Sequence, residues 1–242
     1  MQAWQRQAAA GLVVLAMAAA ALPAKADDTA VFDLSIRGFR AGTLSFAGTQ
    51  AAGRYAVTGK LESAGLVAMV KKVRYDGVAE GLVTDSRFTP ARYTETADTG
   101  KRRSQAVMNY ARGVPQLKVY NPPRAVGDGG VDPATQGGTV DPLTAMYAAF
   151  RDVPAGQECN LSLRLFDGKR GSRVVLGAPT AVKGGVTCPG EYRRVAGFSE
   201  ADMAEKTRFP FTLTLVPVGN GLMRVIEVAM DSLYGKASLK RR

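Results

Sequence analysis

The sequence predicts an all-β protein: a strongly curved antiparallel sheet, a half-open barrel or β-spiral, with one main α-helix packed against it. Three observations predict this. Apolar and polar residues alternate with period two through most of the 242-residue chain, which places successive side chains on opposite faces of a strand. Short glycine-bearing turns separate these runs, as in antiparallel meanders. Only Asp141–Phe150 combines helical spacing with clear start and stop signals. About a dozen strand candidates and one helix suit a sheet that curls on itself.

Phe32, Leu34 and Ile36 alternate with Asp33, Ser35 and Arg37 on the first strand. Gly38–Gly42 and Gly48–Gly53 read as turns, with Leu44 and Phe46 on the strand between them. Tyr55, Val57 and Leu61 mark a third strand, in which Gly59 suggests a bend. Ser63–Val70 is small and apolar without alternation, a buried strand corner or a short helix. Val73, Tyr75 and Val78 lie on a further strand. Another runs from Phe88 to Thr96, and Asp98-Thr99-Gly100 turns it back towards Val107–Tyr110. Gln116–Tyr120 is a short strand. Asn121–Val140, rich in proline and glycine, reads as a loop too poor in large apolar side chains to form a core element.

Asp141 is a good N-cap and Pro142 suits the first helical position. Leu143, Met146, Tyr147 and Phe150 recur at i, i+3, i+4 and i+7, one apolar face, and Pro154 and Gly156 stop the helix. That face is expected to cover an open side of the sheet. Leu161, Leu163 and Leu165 then alternate along a strand that turns at Asp167-Gly168 and returns through Val174–Leu176. Glu191–Gly197 is a strand, and Phe198–Met203 is a loop or a short helical turn. Phe209–Val216 pairs through Gly219-Asn220-Gly221 with Leu222–Met230, and Ser232–Leu239 closes the sheet.

The N-terminus addresses the compartment. Arg6, the apolar run Ala8–Leu22 and Ala24-Lys25-Ala26 follow the order of a cleavable secretory signal, residues 1–26, cut after Ala26. The apolar run is short for a membrane span, which needs about 20 residues. Residues 27–242 are then expected to form a single β-rich periplasmic domain, monomeric and not integral to the membrane. Removing Arg6 and Lys25 with the signal takes the formal charge from +11 to +9. A basic balance favours anionic partners and says nothing about fold. Cys159 and Cys188, the only cysteines, bracket the Leu161–Leu176 hairpin. In an exported chain they are expected to form a disulfide that staples it.

The chain has no histidine, which removes Ser-His-Asp and Cys-His catalysis and a common zinc ligand. No EF-hand, P-loop, dinucleotide fingerprint or nucleophile elbow appears. No catalytic or metal residue and no cofactor are therefore expected. Basic residues cluster at Lys71-Lys72 with Arg74, Lys101–Arg103, Arg193-Arg194 and Lys240–Arg242. They read as the solvated face of strands rather than as a groove for anionic lipid or glycan. The aromatic residues do not follow an RNA-binding signature, so no nucleic acid is expected.

Several pieces, in order, carry a family resemblance. They are Gly42, Ser63-Ala64-Gly65-Leu66, Pro90-Ala91-Arg92-Tyr93, Asp141–Tyr147, Phe166–Arg170 and Cys188-Pro189-Gly190-Glu191-Tyr192. The chain resembles the bacterial family called domain of unknown function 3108. The resemblance implies an exported, β-rich, envelope-facing protein with no assigned activity, and it carries over no catalytic residue. It also suggests likeness to the half-open β folds of periplasmic lipoprotein carriers, an analogy of fold alone. The expected function is non-enzymatic: binding of a lipid-like or amphipathic envelope component, lined by Leu66, Met69, Leu143, Met146, Tyr147 and Phe150, in support of envelope integrity. The alternatives are a protein–protein scaffold of the envelope and, less favoured, a carboxylate-dependent hydrolase.

Overall fold

The structure, a computed structural model, describes residues 28–65, 68, 72–100, 102–124 and 128–242. The expected signal, residues 1–26, lies outside the described residues, as do Leu66 and Met69. Among the described residues, fifteen strands belong to one sheet. The chain ends meet in its middle, where β1 (Asp28–Ile36) pairs antiparallel with β15 (Gly235–Arg241). From β1 a meander runs outward through β2 (Phe39–Ala51), β3 (Arg54–Ser63), β4 (Arg74–Thr84), β5 (Arg87–Asp98), β6 (Arg103–Ala111) and β7 (Val114–Asn121). From β15 a second arm runs through β14 (Leu222–Ser232), β13 (Arg208–Pro217), β12 (Gly185–Ala196) and β10 (Gly171–Leu176) to β9 (Ser162–Phe166). Strand β8 (Val153–Pro154) pairs with β14 and β11 (Thr180–Val182) with β12. Strands β7 and β9 are the two edges, so the curved sheet stays unclosed.

Two-residue turns explain the meander. Arg37-Gly38, Ala52-Gly53 and Arg112-Gly113 each place two successive residues at positive φ, the backbone of tight hairpin turns whose twist matches that of the strands. The turns are therefore shorter than the glycine spacing suggests. Gly42 and Gly48, expected in turns, lie inside β2. Gly48 is needed for packing: a Cβ there would meet the Tyr147 ring at 2.4 Å. Gly59 on β3 makes the same room for Leu143, also at 2.4 Å. Gly59 pairs with Gly77 on β4, and together these glycines form a trough for a helix. Register shifts at Leu34/Ser35, Glu80/Gly81, Gly171/Ser172 and Thr214/Leu215 mark bulges, which bend and twist the sheet locally. The last hairpin also differs from the expected continuous strand, since Leu233 and Tyr234 turn between β14 and β15.

Helix α1 (Pro142–Phe150) sits between the two arms in sequence and packs on β3, β4, β5 and β9. It begins as expected, with the Asp141 carboxylate accepting from Thr144 N–H at 2.8 Å. Its buried face is rotated from the expected one: Leu143, Thr144, Ala145, Tyr147 and Ala148 are buried, while Met146 and Phe150 are half-buried. A polar link turns the helix. The Thr144 hydroxyl donates to Asp141 Oδ2 at 2.6 Å and lies 2.7 Å from the Tyr55 hydroxyl. Around it stand Phe46 and Phe88, each edge-on to Tyr147 with ring centroids 5.8 and 5.9 Å away, and Tyr55, edge-on to Phe88 at 4.9 Å. Edge-to-face pairs at such spacing add to simple area burial.

The end of the Asn121–Val140 loop reaches the core, although the loop reads as too poor in large apolar side chains to form a core element. Thr139 and Val140 are buried, and Val140 forms a parallel bridge to Leu165 on edge strand β9. The bridge satisfies backbone groups that an edge would leave open. Further along, Phe198–Met203 resolves into a helical turn, α2 (Glu200–Glu205), with Ser199 and Asp202 forming a capping box.

Cys159 and Cys188 form a disulfide with Cα atoms 5.4 Å apart, linking the approach to β9 with β12. The closed loop spans 29 residues. Cys159→Ser with Cys188→Ser is expected to cost about 3.5 kcal/mol, chiefly through the unfolded chain, read as a lower denaturation midpoint with an unchanged far-ultraviolet circular dichroism spectrum. Equal midpoints for reduced and oxidised wild-type protein would refute the staple.

Candidate anion-binding cleft

A cleft of about 1060 Å³ opens beside edge strand β9. Its wall comes from the start of β5, the Gln136–Val140 segment, β9, β10, β12 and the end of α2. Phe88, Pro90, Val140 and Leu165 are its buried apolar lining residues, and on β9 Leu165 points to the opposite face from exposed Arg164. Five arginines line it, Arg87, Arg164, Arg173, Arg193 and Arg194, and no aspartate, glutamate or lysine does.

Strand pairing aligns three of them, Arg164, Arg173 and Arg193. Asp167 Oδ1 accepts from the N–H groups of Lys169 at 2.8 Å and Arg170 at 2.6 Å, so the β9–β10 turn is held closed. Its register sets Arg164 opposite Arg173. Between β10 and β12, Arg173 faces Arg193, and between β12 and β13, Arg193 faces Arg208. Residues directly opposite in antiparallel strands share a face, so four arginines cross four strands in one row. Arg208 alone in this row has a carboxylate partner, Glu191, at 2.5 Å. Arg173 donates to the Ser162 hydroxyl at 3.3 Å. Arg87, Arg164 and Arg193 have no ion pair among the described residues. The bulge at Gly171/Ser172 inserts Val195 as the extra residue on β12 and leaves it 56% exposed on the cleft rim.

Arg194 is placed differently. Its Nη1 donates to the main-chain oxygens of Asp202 and, at 2.9 Å, Lys206, at the end of α2. Its guanidinium also lies 5.3 Å from the Phe198 ring centre and 5.1 Å from that of Phe209, a cation–π setting. It is structural, whereas Arg87, Arg164, Arg173 and Arg193 keep donors free for a ligand.

In the other basic clusters, Lys71 and Lys101 lie outside the described residues, Arg241 is largely buried over the Phe32 ring, and three exposed arginines carry acidic partners. Arg74 pairs with Asp76, Arg103 with Asp98 and Arg242 with Asp33. A second cleft of about 800 Å³ on the β1–β5 face holds Lys60, Arg241 and Arg242 together with Asp76, so its charges are mixed. Sequence reading grouped Arg193-Arg194 with these exposed clusters. It missed Arg164 and Arg173, because a row across strands has no counterpart in sequence spacing. The signal available was Arg at alternate positions on two strands of one hairpin, Arg164 and Arg173.

The side chains expected to line a ligand site on the helix are placed elsewhere. Leu143 fills the Gly59–Gly77 trough and Tyr147 is fully buried. Phe150 packs at a tilt on Phe32 with ring centres 5.5 Å apart, and Met146 packs at the margin of the core. None of these four lines either cleft. An apolar helix stripe reads the same in sequence whether it faces a ligand or a sheet. Among the described residues, no group of three or more cysteine, aspartate or glutamate side chains is placed to hold a metal ion, and no helix is long and apolar enough to cross a membrane.

Comparison with known proteins agrees with the family resemblance. Residues 31–187 match the model of a protein family of unknown function, DUF3108. No curated protein matches. Among solved structures, the crystal structure of a β-barrel-like protein of domain of unknown function DUF1849 from Brucella abortus is similar at 15% identity and a TM-score of 0.49, over 90% of this chain and 97% of that one. The ordered pieces from Gly42 to Tyr192 and the match over residues 31–187 lead to one assignment: the chain belongs to the DUF3108 family.

Proposed function

We propose that this chain is a non-enzymatic protein of the cell envelope, exported through a cleaved signal peptide, that binds an amphipathic envelope component by its anionic head. The observation that carries the reading is the cleft lined by arginines with no carboxylate among its lining residues. Uncompensated guanidinium groups around a concave site attract anions and fix their orientation. The adjoining Phe88, Pro90 and Val195 offer an apolar wall for the rest of the molecule. The cleft brings together arginine, serine and threonine rather than an acid and a base, which suits binding rather than turnover. The Cys159–Cys188 bond is compatible with an oxidising compartment.

Co-sedimentation of purified oxidised protein with vesicles tests the binding. Phosphatidylcholine vesicles containing phosphatidylglycerol are expected to retain the protein at low salt, and phosphatidylcholine alone is not. Replacing Arg87, Arg164, Arg173 and Arg193 together by glutamine abolishes retention. Equal retention on both vesicles, or by the substituted protein, would end this reading. Export is checked by N-terminal sequencing of protein from the periplasmic fraction, where Asp27 is expected as the first residue.

A scaffold role is favoured by a second observation. Phe39 and Tyr234 are 68% and 67% exposed on neighbouring turns, joined where Arg37 Nε donates to the Tyr234 main-chain oxygen at 2.7 Å. Crosslinking in cells through a photoreactive residue at position 234 would capture an envelope protein on that reading and nothing on the first.

A further inference from the structure

The row formed by Arg164, Arg173 and Arg193 has an order that a general attraction for anions does not require. The three arginines are directly opposed on adjacent strands β9, β10 and β12. Like charges in that arrangement destabilise a sheet. With strands about 4.8 Å apart, the three lie along a line of roughly 10 Å perpendicular to the strands. A single carboxylate or phosphate can be gripped by one or two of them and leaves the rest of the repulsion in place.

Resting on the cleft reading above, we infer that the ladder recognises a clustered-phosphate group, with two or more phosphoryl units close together in one ligand, as in a diphosphate. Three guanidinium forks match phosphoryl oxygens in bidentate fashion. A diphosphate concentrates enough negative charge to neutralise the row at once, which a monoanionic lipid head does not. Ser162, already bonded to Arg173 at 3.3 Å, holds that side chain in the row. The fourth arginine, Arg208, is tied up by Glu191 and bounds the site on the β13 side. The ladder runs to β9, an edge of the sheet, where Arg164 is exposed. A chain attached to the diphosphate could therefore leave without crossing the core.

The test uses the purified, disulfide-bonded protein, with calorimetric titration and melting followed in parallel. Inorganic pyrophosphate is expected to bind at least tenfold more tightly than orthophosphate and to raise the melting temperature. Arg173→Gln, which removes the middle of the row, is expected to weaken pyrophosphate at least tenfold. It also raises the melting temperature of the free protein, because it relieves two like-charge contacts. That rise sets a ligand site apart from a structural role, whose loss would lower it. Phosphatidylcholine vesicles carrying a polyprenyl diphosphate or a polyprenyl monophosphate identify the source. Preference for the diphosphate vesicles together with weak free pyrophosphate means a lipid-borne ligand, and binding of free pyrophosphate means that the head group suffices. Both outcomes support the inference. Equal affinity for orthophosphate and pyrophosphate, with equal retention on the two polyprenyl vesicles, overturns it. If phosphatidylglycerol vesicles are still retained in that case, the anionic cleft stands and only the ladder's specificity falls. If they are not, both fall.

Discussion

Tyr147→Ala is expected to lower the unfolding free energy by about 3–5 kcal/mol, the range for deleting a large buried aromatic side chain. Tyr147 is fully buried, packs edge-on against both Phe46 and Phe88, and its hydroxyl accepts from Gln50 Nε2 at 3.2 Å. The loss therefore combines transfer, cavity and polar contributions. The partner change is Gly48→Ala. A Cβ at that position meets the body of the ring, with Cε2 at 2.4 Å and Cζ at 2.6 Å. The ring is held on its other sides, so overpacking of about 1–3 kcal/mol follows. The two effects are not additive, since the cavity left by Tyr147→Ala accepts the new methyl group. Urea denaturation of the two single variants and the double variant measures the coupling. If Gly48→Ala costs as much without the ring as with it, the proposed lock between helix and sheet is wrong.

Asp141→Asn is expected to change the pH dependence of stability by about 3 kcal/mol. Asp141 is fully buried and its pKa is pushed up to about 6, first by desolvation and against the pull of its bonds from Thr144. The unfolded chain titrates near 3.9. Between these values the folded state holds a proton that the unfolded state has released, so stability falls as pH rises from about 4 to about 6. At about 1.4 kcal/mol per pKa unit, the two-unit gap amounts to roughly 3 kcal/mol. Asparagine keeps an acceptor for the Thr144 N–H and removes the charge. The variant therefore gains on the wild type as pH rises through that window, and the two are nearest to parallel below pH 4 and above pH 7. Asp28 and Glu95 are also raised, mainly by burial, and Asp33, Asp76, Asp98 and Asp202 are lowered. Those groups act alike in both proteins and cancel in the difference. Denaturant curves at pH 4 and pH 7 that differ by the same amount would remove Asp141 as the source.

These predictions rest on features of differing legibility. The Asp141 cap was legible because capping acts on N–H groups two or three residues away. The hairpin at Asp167-Gly168 and the pairing of Cys159 with Cys188 were legible for a similar reason: turn chemistry is local, and a chain with two cysteines leaves one intramolecular choice. Gly48 was misread, since a glycine that opens a turn and one that makes room for a distant ring look alike until the ring is placed. The burial of Thr144 was not legible either, since its partner Tyr55 is 89 residues away.

By itself the sequence determined the all-β class, the single main helix with its cap, the disulfide and the family, because alternation, capping, turn residues and ordered motifs are properties of neighbours along a chain. That the helix face packs into the core and that Arg164, Arg173 and Arg193 stand in one row follow from long-range pairing and packing. Strand register carries residues far apart in sequence onto one face, and the charge density of that face exists only once β9, β10 and β12 are paired.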